Sequence, residues 1–490
     1  MRAYPSHANV GWPQPPPPPP SDQRHLGRAG LRRFRGWRRV ALGAKLPRSG
    51  GESGTQIVAG RPAGLVANQI ADGGGVDDAR SRPAPHRQSM TAVGPITDEE
   101  RASLDALRFV VHGLDSFNDG FLLRWLRGKD HKFDETAEGV RKHLIFRKAW
   151  NLDNLSEWDA PEILEKYCGY GFLADKDGSP ILMSLLGNMD VEGMLKSVQA
   201  QDYIKFSLAA IERGVELCEE RAGKTNAPFE QMMLVFDLDN ITSAHYSCKT
   251  FAASFVTLLM LFQENYPLVL NKILVIRAPA MARYAFNMLT PFLSDSIQQM
   301  IDIPSDEQWQ HELGKYVQLE DEQWQHELGK YVQLEGWPMH WGGQLTDPNG
   351  DPKCPSKVRY GLGPVPETYF VDRSSALSDY DDKTTVYAGD KHLIELNVEP
   401  NTRISWQYMT ADDDIGFAIH YDKTGKANNL TEMEAVFPYI RLECSLVPVS
   451  GSLLCEKPGR YLIEFDNYYS WFSAKELRYN IDIHEPLQSN

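Results

Sequence analysis

The first ordered pattern of apolar positions begins near residue 97. Thr97-Asp98-Glu99-Glu100 has the form of a capping box, in which a threonine and a glutamate three residues on satisfy each other's backbone amides. Behind it, Leu104, Leu107, Val111 and Leu114 recur at helical spacing and predict a helix. Further helical segments follow to about residue 166. Short apolar runs at 181–186, 232–237 and 272–276 then predict strands. Between the first two lies a helix with Ile204, Leu208, Ile211, Val215 and Cys218 on one stripe. Between the second and third lies FAASFVTLLMLF, residues 251–262, apolar nearly throughout. Strands alternating with helices predict an α/β fold, a largely parallel sheet covered by helices.

From about Thr384 the period changes to two. Ile394, Leu396 and Val398 alternate with polar residues, as do Ile404, Trp406 and Tyr408. Ile415/Phe417/Ile419/Tyr421, Tyr461/Ile463/Phe465 and Leu477/Tyr479/Ile481/Ile483 continue the series, punctuated by turn residues such as Pro400-Asn401 and Lys457-Pro458-Gly459. Short alternating strands at this spacing predict an all-β antiparallel sandwich. Cys444 and Cys455 flank the turn Pro448-Val449-Ser450-Gly451 symmetrically, so a hairpin there would bring them face to face. A disulfide is disfavoured, because nothing near the first residues looks secretory and no CxxC occurs. A reducing compartment is the expectation.

Residues 1–90 lack such patterning. Six prolines, Pro15 to Pro20, impose extended polyproline structure, and the segment at 31–46 is basic and loosely amphipathic. Its composition resembles a mitochondrial presequence; the alternative is translated upstream sequence with a start at Met90. A second oddity is DEQWQHELGKYVQLE, which occurs at 306–320 and again, letter for letter, at 321–335. Structural repeats diverge and come in larger numbers, so an identical pair reads as a gene-model duplication. The expected organisation is a disordered basic, proline-rich extension at 1–90, a helical region at 95–166, an α/β domain at 167–345, a linker at 346–369 and the sandwich at 370–484.

Charge narrows the function. The 490 residues carry a net charge of −15. Residues 1–89 hold 14 Lys and Arg against 5 Asp and Glu, so the remainder is more acidic still. Such a body repels nucleic acid, and nucleic-acid partners are excluded. The longest apolar run has 12 residues, too short for a membrane span of roughly 20. Gly169-Tyr170-Gly171-Phe172-Leu173-Ala174 matches GxGxxA, but it lacks the preceding strand and following helix of a nucleotide site. No GxSxG, Walker A or HExxH pattern occurs, and the acidic stretches at Asp412-Asp413-Asp414 and Asp347 to Asp351 read as solvated turns. Neither an enzyme, a catalytic residue, a cofactor nor a metal is expected.

One constellation stands apart. Residues 124–148 carry eight Lys and Arg against four Asp and Glu, a basic island in an acidic body. Downstream lie helix 251–262, with Phe255, Leu258, Leu259 and Phe262, and a second helix at 281–293 with Met281, Ala285, Met288, Leu289 and Phe292 on one stripe. Plain core accounts for both helices. Equally, methionine-rich apolar helices beside cations suit a cavity that buries acyl chains and pairs a phosphate.

FLLRWLRGKDHKFD (Phe121 to Asp134), DKDGSPI (Asp175 to Ile181), LVFDLDNI (Leu234 to Ile241), NYPLVLNKILVIRAP (Asn265 to Pro279) and PFLSDSI (Pro291 to Ile297) resemble successive landmarks of the CRAL-TRIO lipid-binding family. WGGQLTDPNGDPKC (Trp341 to Cys354) resembles its C-terminal closure. RISWQYMTADDDIGFAI (Arg403 to Ile419) and GRYLIEFDNYYS (Gly459 to Ser470) resemble a GOLD domain. The resemblance implies a cytoplasmic carrier of one hydrophobic ligand, of the phosphatidylinositol, tocopherol or squalene class, exchanged during transient contact with membranes. A protein partner through the GOLD domain is its second implication. It also implies that Lys132 and Lys272 meet a headgroup and that helix 281–293 is a mobile gate. GKDHKFD is two residues longer than the family's usual ARKFD.

Overall fold

The computed structural model describes residues 94–304 and 336–484. The expectations for the 1–90 extension and the 306–335 duplication lie outside the described residues. The expected capping box is present at α1 (Asp98–Val110): Thr97 Oγ1 accepts the Glu100 amide and Glu100 Oε2 accepts the Thr97 amide. Glu100 also pairs with Arg127 of α2 (Asp119–Gly128) at 2.7 Å, which holds its carboxyl down to about 2. The two extra residues after α2, Asp130 and His131, are absorbed as consecutive left-handed residues before α3 (Phe133–Trp150). Leu104, Leu107, Val111, Leu122, Leu126 and Val140 close the core of this helical region.

After the short α4 (Glu162–Tyr167), β1 (Tyr170–Ala174) and β2 (Pro180–Ser184) form an antiparallel hairpin. The GxGxxA segment is therefore itself a strand. Its glycines admit a neighbouring backbone, since a Cβ on Gly171 would stand 2.4 Å from the Lys357 carbonyl oxygen. The chain continues through α5 (Val191–Leu195), α6 (Ala200–Thr225), β3 (Met232–Asp237), α7 (Ser243–Ser247), α8 (Lys249–Asn265), β4 (Leu270–Ile276), α9 (Ala280–Leu289), α10 (Asp295–Met300) and β5 (Ile301–Asp302). The sheet order is β1-β2-β3-β4-β5, parallel from β2 onward. That is the parallel-rich sheet which alternating strands and helices predict.

The C-terminal region opens with α11 (Arg373–Ser378) and β6 (Asp382–Val386). Then come β7 (Lys391–Val398), β8 (Thr402–Thr410), β9 (Asp414–Asp422), β10 (Glu434–Glu443), β11 (Val449–Cys455), β12 (Gly459–Asp466) and β13 (Lys475–His484). They form two four-stranded antiparallel sheets, β10-β9-β12-β7 and β11-β8-β13-β6. Trp406, Tyr408, Phe417, Phe437 and Phe465 pack between them. The hairpin expected around residues 448–451 does not form, because β10 and β11 belong to different sheets. Cys444 and Cys455 are accordingly free, buried thiols. The period-2 pattern marked β7, β8, β9, β12 and β13 but passed over β6, β11 and the ten-residue β10.

The two regions meet along α3, α8 and the start of α6. Thr257 donates from its hydroxyl to the Arg441 carbonyl of β10 at 3.0 Å, Gln199 accepts the Ser450 amide, and Lys148 pairs with Glu456. A helix packed against a sandwich on one side and an interior on the other has two faces to fill with apolar residues, which accounts for most of the run at 251–262; Ala252 and Met260 are exposed.

Candidate functional site

The two faces of the sheet have different neighbours because strand side chains alternate. Ile181, Met183, Val235, Leu274 and Ile276 pack on one face with Trp337, Trp341 and Val358. The opposite face, with Leu182, Ser184, Leu234, Phe236, Ile273 and Val275, does not close against its covering helices. A cavity of about 350 Å³ lies between it and α6, α8 and α9. Tyr203, Phe206 and Ile211 of α6 form one wall, Phe251 and Phe255 of α8 another, and Phe286 of α9 contributes to a third. Among the described lining residues there is no Asp, Glu, Lys or Arg. A surface of this kind takes an apolar guest and offers no counter-charge to an ion.

Comparison with known proteins supplies the kinship. A family model described as the CRAL/TRIO domain matches residues 164–343, the span that holds the described cavity lining. A second, described as "F28H7_8_C:-like, C-terminal domain", matches residues 375–488. "Protein ctg-1" of Caenorhabditis elegans is 58% identical over 389 residues, which cover 79% of this chain and 97% of that protein. The chain belongs to the CRAL/TRIO family. Members of that family generally bind and transfer lipids. "CRAL-TRIO domain-containing protein T23G5.2" of the same organism is 28% identical over 205 residues, 41% of this chain and 28% of its own length. Among solved structures, "Crystal structure of Sfh5" aligns with a TM-score of 0.39 and 14% identity, covering 58% of this chain and 99% of that one.

Within this CRAL/TRIO domain the predicted residues divide. Phe255, Leu258, Leu259 and Phe262 of α8 all line the cavity, as does Leu289 of α9. Met281 and Phe292 do not; they are 58% and 49% exposed. The inward stripe of α9 and the turn after it is Ala282, Phe286, Leu289 and Leu293, one position on from the stripe the sequence suggested. The side chains of Ala285 and Met288 lie outside the described set.

Both lysines sit away from the described cavity lining. Lys132 precedes α3, is exposed, and pairs with Glu135 at 3.1 Å. Lys272 is buried and pairs with Asp302 of β5 at 3.1 Å. A bulge explains its direction. Met232 pairs with Leu270 and Met233 with Lys272, leaving Asn271 as the extra residue. Leu270 lines the cavity, and in a regular strand Lys272 would follow it; the extra residue turns Lys272 to the side of Leu274 and Ile276.

Behind the cavity stands a polar network that motif reading missed. Glu212 accepts from Arg147 at 3.0 Å and from the Tyr266 hydroxyl at 2.6 Å. Burial, then the Glu212 carboxylate, drive the Tyr266 phenol far above its ordinary range. Tyr266 stacks on cavity-lining Phe262 with ring centroids 5.5 Å apart. His143, beside Asn265 Oδ1 at 3.2 Å, is pushed down to about 3, chiefly by burial. The legible signal for the α6 wall was its second stripe, Tyr203, Phe206 and Ala210, beside the one that was counted.

Proposed function

We propose that the protein binds one hydrophobic lipid in the α6–α8–α9 cavity and transfers it between membranes, without catalysis. The carrying observation is the uncharged, aromatic- and leucine-rich lining of a cavity of about 350 Å³. Each acyl CH₂ moved out of water contributes about 0.8 kcal/mol, so an apolar cavity suffices to solvate a tail. The α9 segment serves as gate: it carries cavity residues on one side, and exposed Met281 and Phe292 are available to a bilayer during transient contact. The ligand belongs to the phosphatidylinositol, tocopherol or squalene class, and exchange takes place from the cytoplasm. We read the C-terminal sandwich as a GOLD-type domain, an arrangement similar to that of tocopherol-associated protein, also called supernatant protein factor.

Transfer of fluorescent lipid between donor and acceptor vesicles tests this reading. Wild-type protein accelerates transfer in proportion to its concentration, and Ala210→Phe, which fills the cavity from α6, removes most of the acceleration while the protein stays folded. Equal transfer by both proteins contradicts the reading.

A second reading is a lipid-sensing trafficking adaptor whose sandwich binds a protein partner. It is favoured by Tyr468, Trp471 and Phe472, exposed together in the β12–β13 connection, because exposed aromatic clusters are enriched at interfaces. Transfer by purified protein alone favours the carrier; stoichiometric partner capture abolished by Trp471→Ser favours the adaptor.

A further inference from the structure

Several polar side chains in the cavity wall are already occupied within the protein. Ser207 Oγ donates to the Tyr203 carbonyl at 3.0 Å, and Gln263 bonds both the Phe292 carbonyl and the Ser294 amide. Two others in the wall are not occupied. His245 Nε2 and the Tyr246 hydroxyl, both on α7, are shut off from solvent and have no hydrogen-bond partner. Both residues line the cavity. Buried polar atoms are normally paired, so two consecutive orphans in the wall of a binding cavity indicate that their partner is the guest.

The chemistry of that partner follows from the histidine. The Thr242 backbone N–H donates to His245 Nδ1 at 3.1 Å. A nitrogen that accepts an N–H carries no proton, so the ring proton sits on Nε2. His245 therefore presents an unpaired donor, and Tyr246 adds a hydroxyl able to donate or accept. We infer that the cavity takes a neutral lipid bearing a hydrogen-bonding oxygen, a hydroxyl or a carbonyl, seated at α7 against His245 and Tyr246. This rests on the lipid-binding reading above and narrows it. A pure hydrocarbon leaves both atoms unpaired. A phosphate placed here is an anion with no Lys or Arg among the described lining residues to meet it.

The test uses the full chain and three probes: α-tocopherol, squalene and phosphatidylinositol, each offered from phosphatidylcholine vesicles. His245→Asn keeps an acceptor for the Thr242 amide and withdraws the Nε2–H, because the shorter side chain places its own NH₂ short of the Nε2 position, and Tyr246→Phe removes one oxygen. Each variant is expected to weaken tocopherol binding about 5–10-fold, the effect of one hydrogen bond, and to leave squalene binding within two-fold of wild type. Unchanged tocopherol binding, or equal losses for tocopherol and squalene, overturns the assignment of α7. So does a preference for phosphatidylinositol that both variants leave intact. Uptake of none of the three by wild-type protein overturns the lipid-binding reading itself, and this inference with it. Far-UV circular dichroism confirms folding, and Tyr246→Phe decides alone should His245→Asn not fold.

Discussion

His143 shows how one buried side chain sets a pH response. It is 1% exposed, and burial pushes it down to about 3 in the folded protein, against an ordinary value of 6.5. Between those values the unfolded chain binds a proton that the folded chain does not, so stability falls as pH is lowered through that window. The slope from this one group reaches about 1.4 kcal/mol per pH unit. His340 and His392 are pushed the same way by burial. We expect the midpoint of urea unfolding to drop between pH 6.5 and 5, and His143→Gln to flatten part of that drop. An unchanged slope in the variant contradicts the assignment. Neither this histidine nor the Glu212–Tyr266 pair was legible as a site in the sequence, because their partners lie 122 and 54 residues away. Lys272 illustrates the converse. Its motif position was plain, but its direction depends on a bulge at Asn271 that no local pattern announces.

Among the elements, α8 was the most legible and α9 the least. Within the apolar run of 12 residues, Phe255, Leu258, Leu259 and Phe262 line the cavity, while Met260 is 47% exposed. In α9 two adjacent stripes, Met281/Ala285/Met288 and Ala282/Phe286/Leu289, are both apolar, so periodicity could not choose between them. What fixes the segment is Gln263 of α8. Its amide donates to the Phe292 carbonyl at 3.0 Å, and its carbonyl accepts the Ser294 amide, clasping the turn that follows α9. Gln263→Ala removes both bonds and should cost about 1–2 kcal/mol of stability. If α9 is the gate, the same substitution should speed lipid exchange several-fold in stopped-flow transfer while changing equilibrium affinity less. Slower exchange would contradict that role for the clasp.

At the scale of the molecule, the α/β region and the sandwich share a wall. Both α3 and α8 pack against β10, and the Thr257–Arg441 hydrogen bond joins them. Sequence periodicity delivered both architectures separately but said nothing of this contact, which depends on α8 having two apolar faces with different owners. Calorimetry of the intact protein should therefore show one cooperative transition, raised by lipid. Two separated transitions, with only the first responding to lipid, would show that the wall transmits nothing. The central claim is that the cavity holds a lipid. Native mass spectrometry of the protein purified without detergent tests it most directly. The account predicts a species heavier than the polypeptide by one lipid, released on denaturation and reduced in Ala210→Phe; a polypeptide-only mass that persists after incubation with lipid vesicles would contradict it.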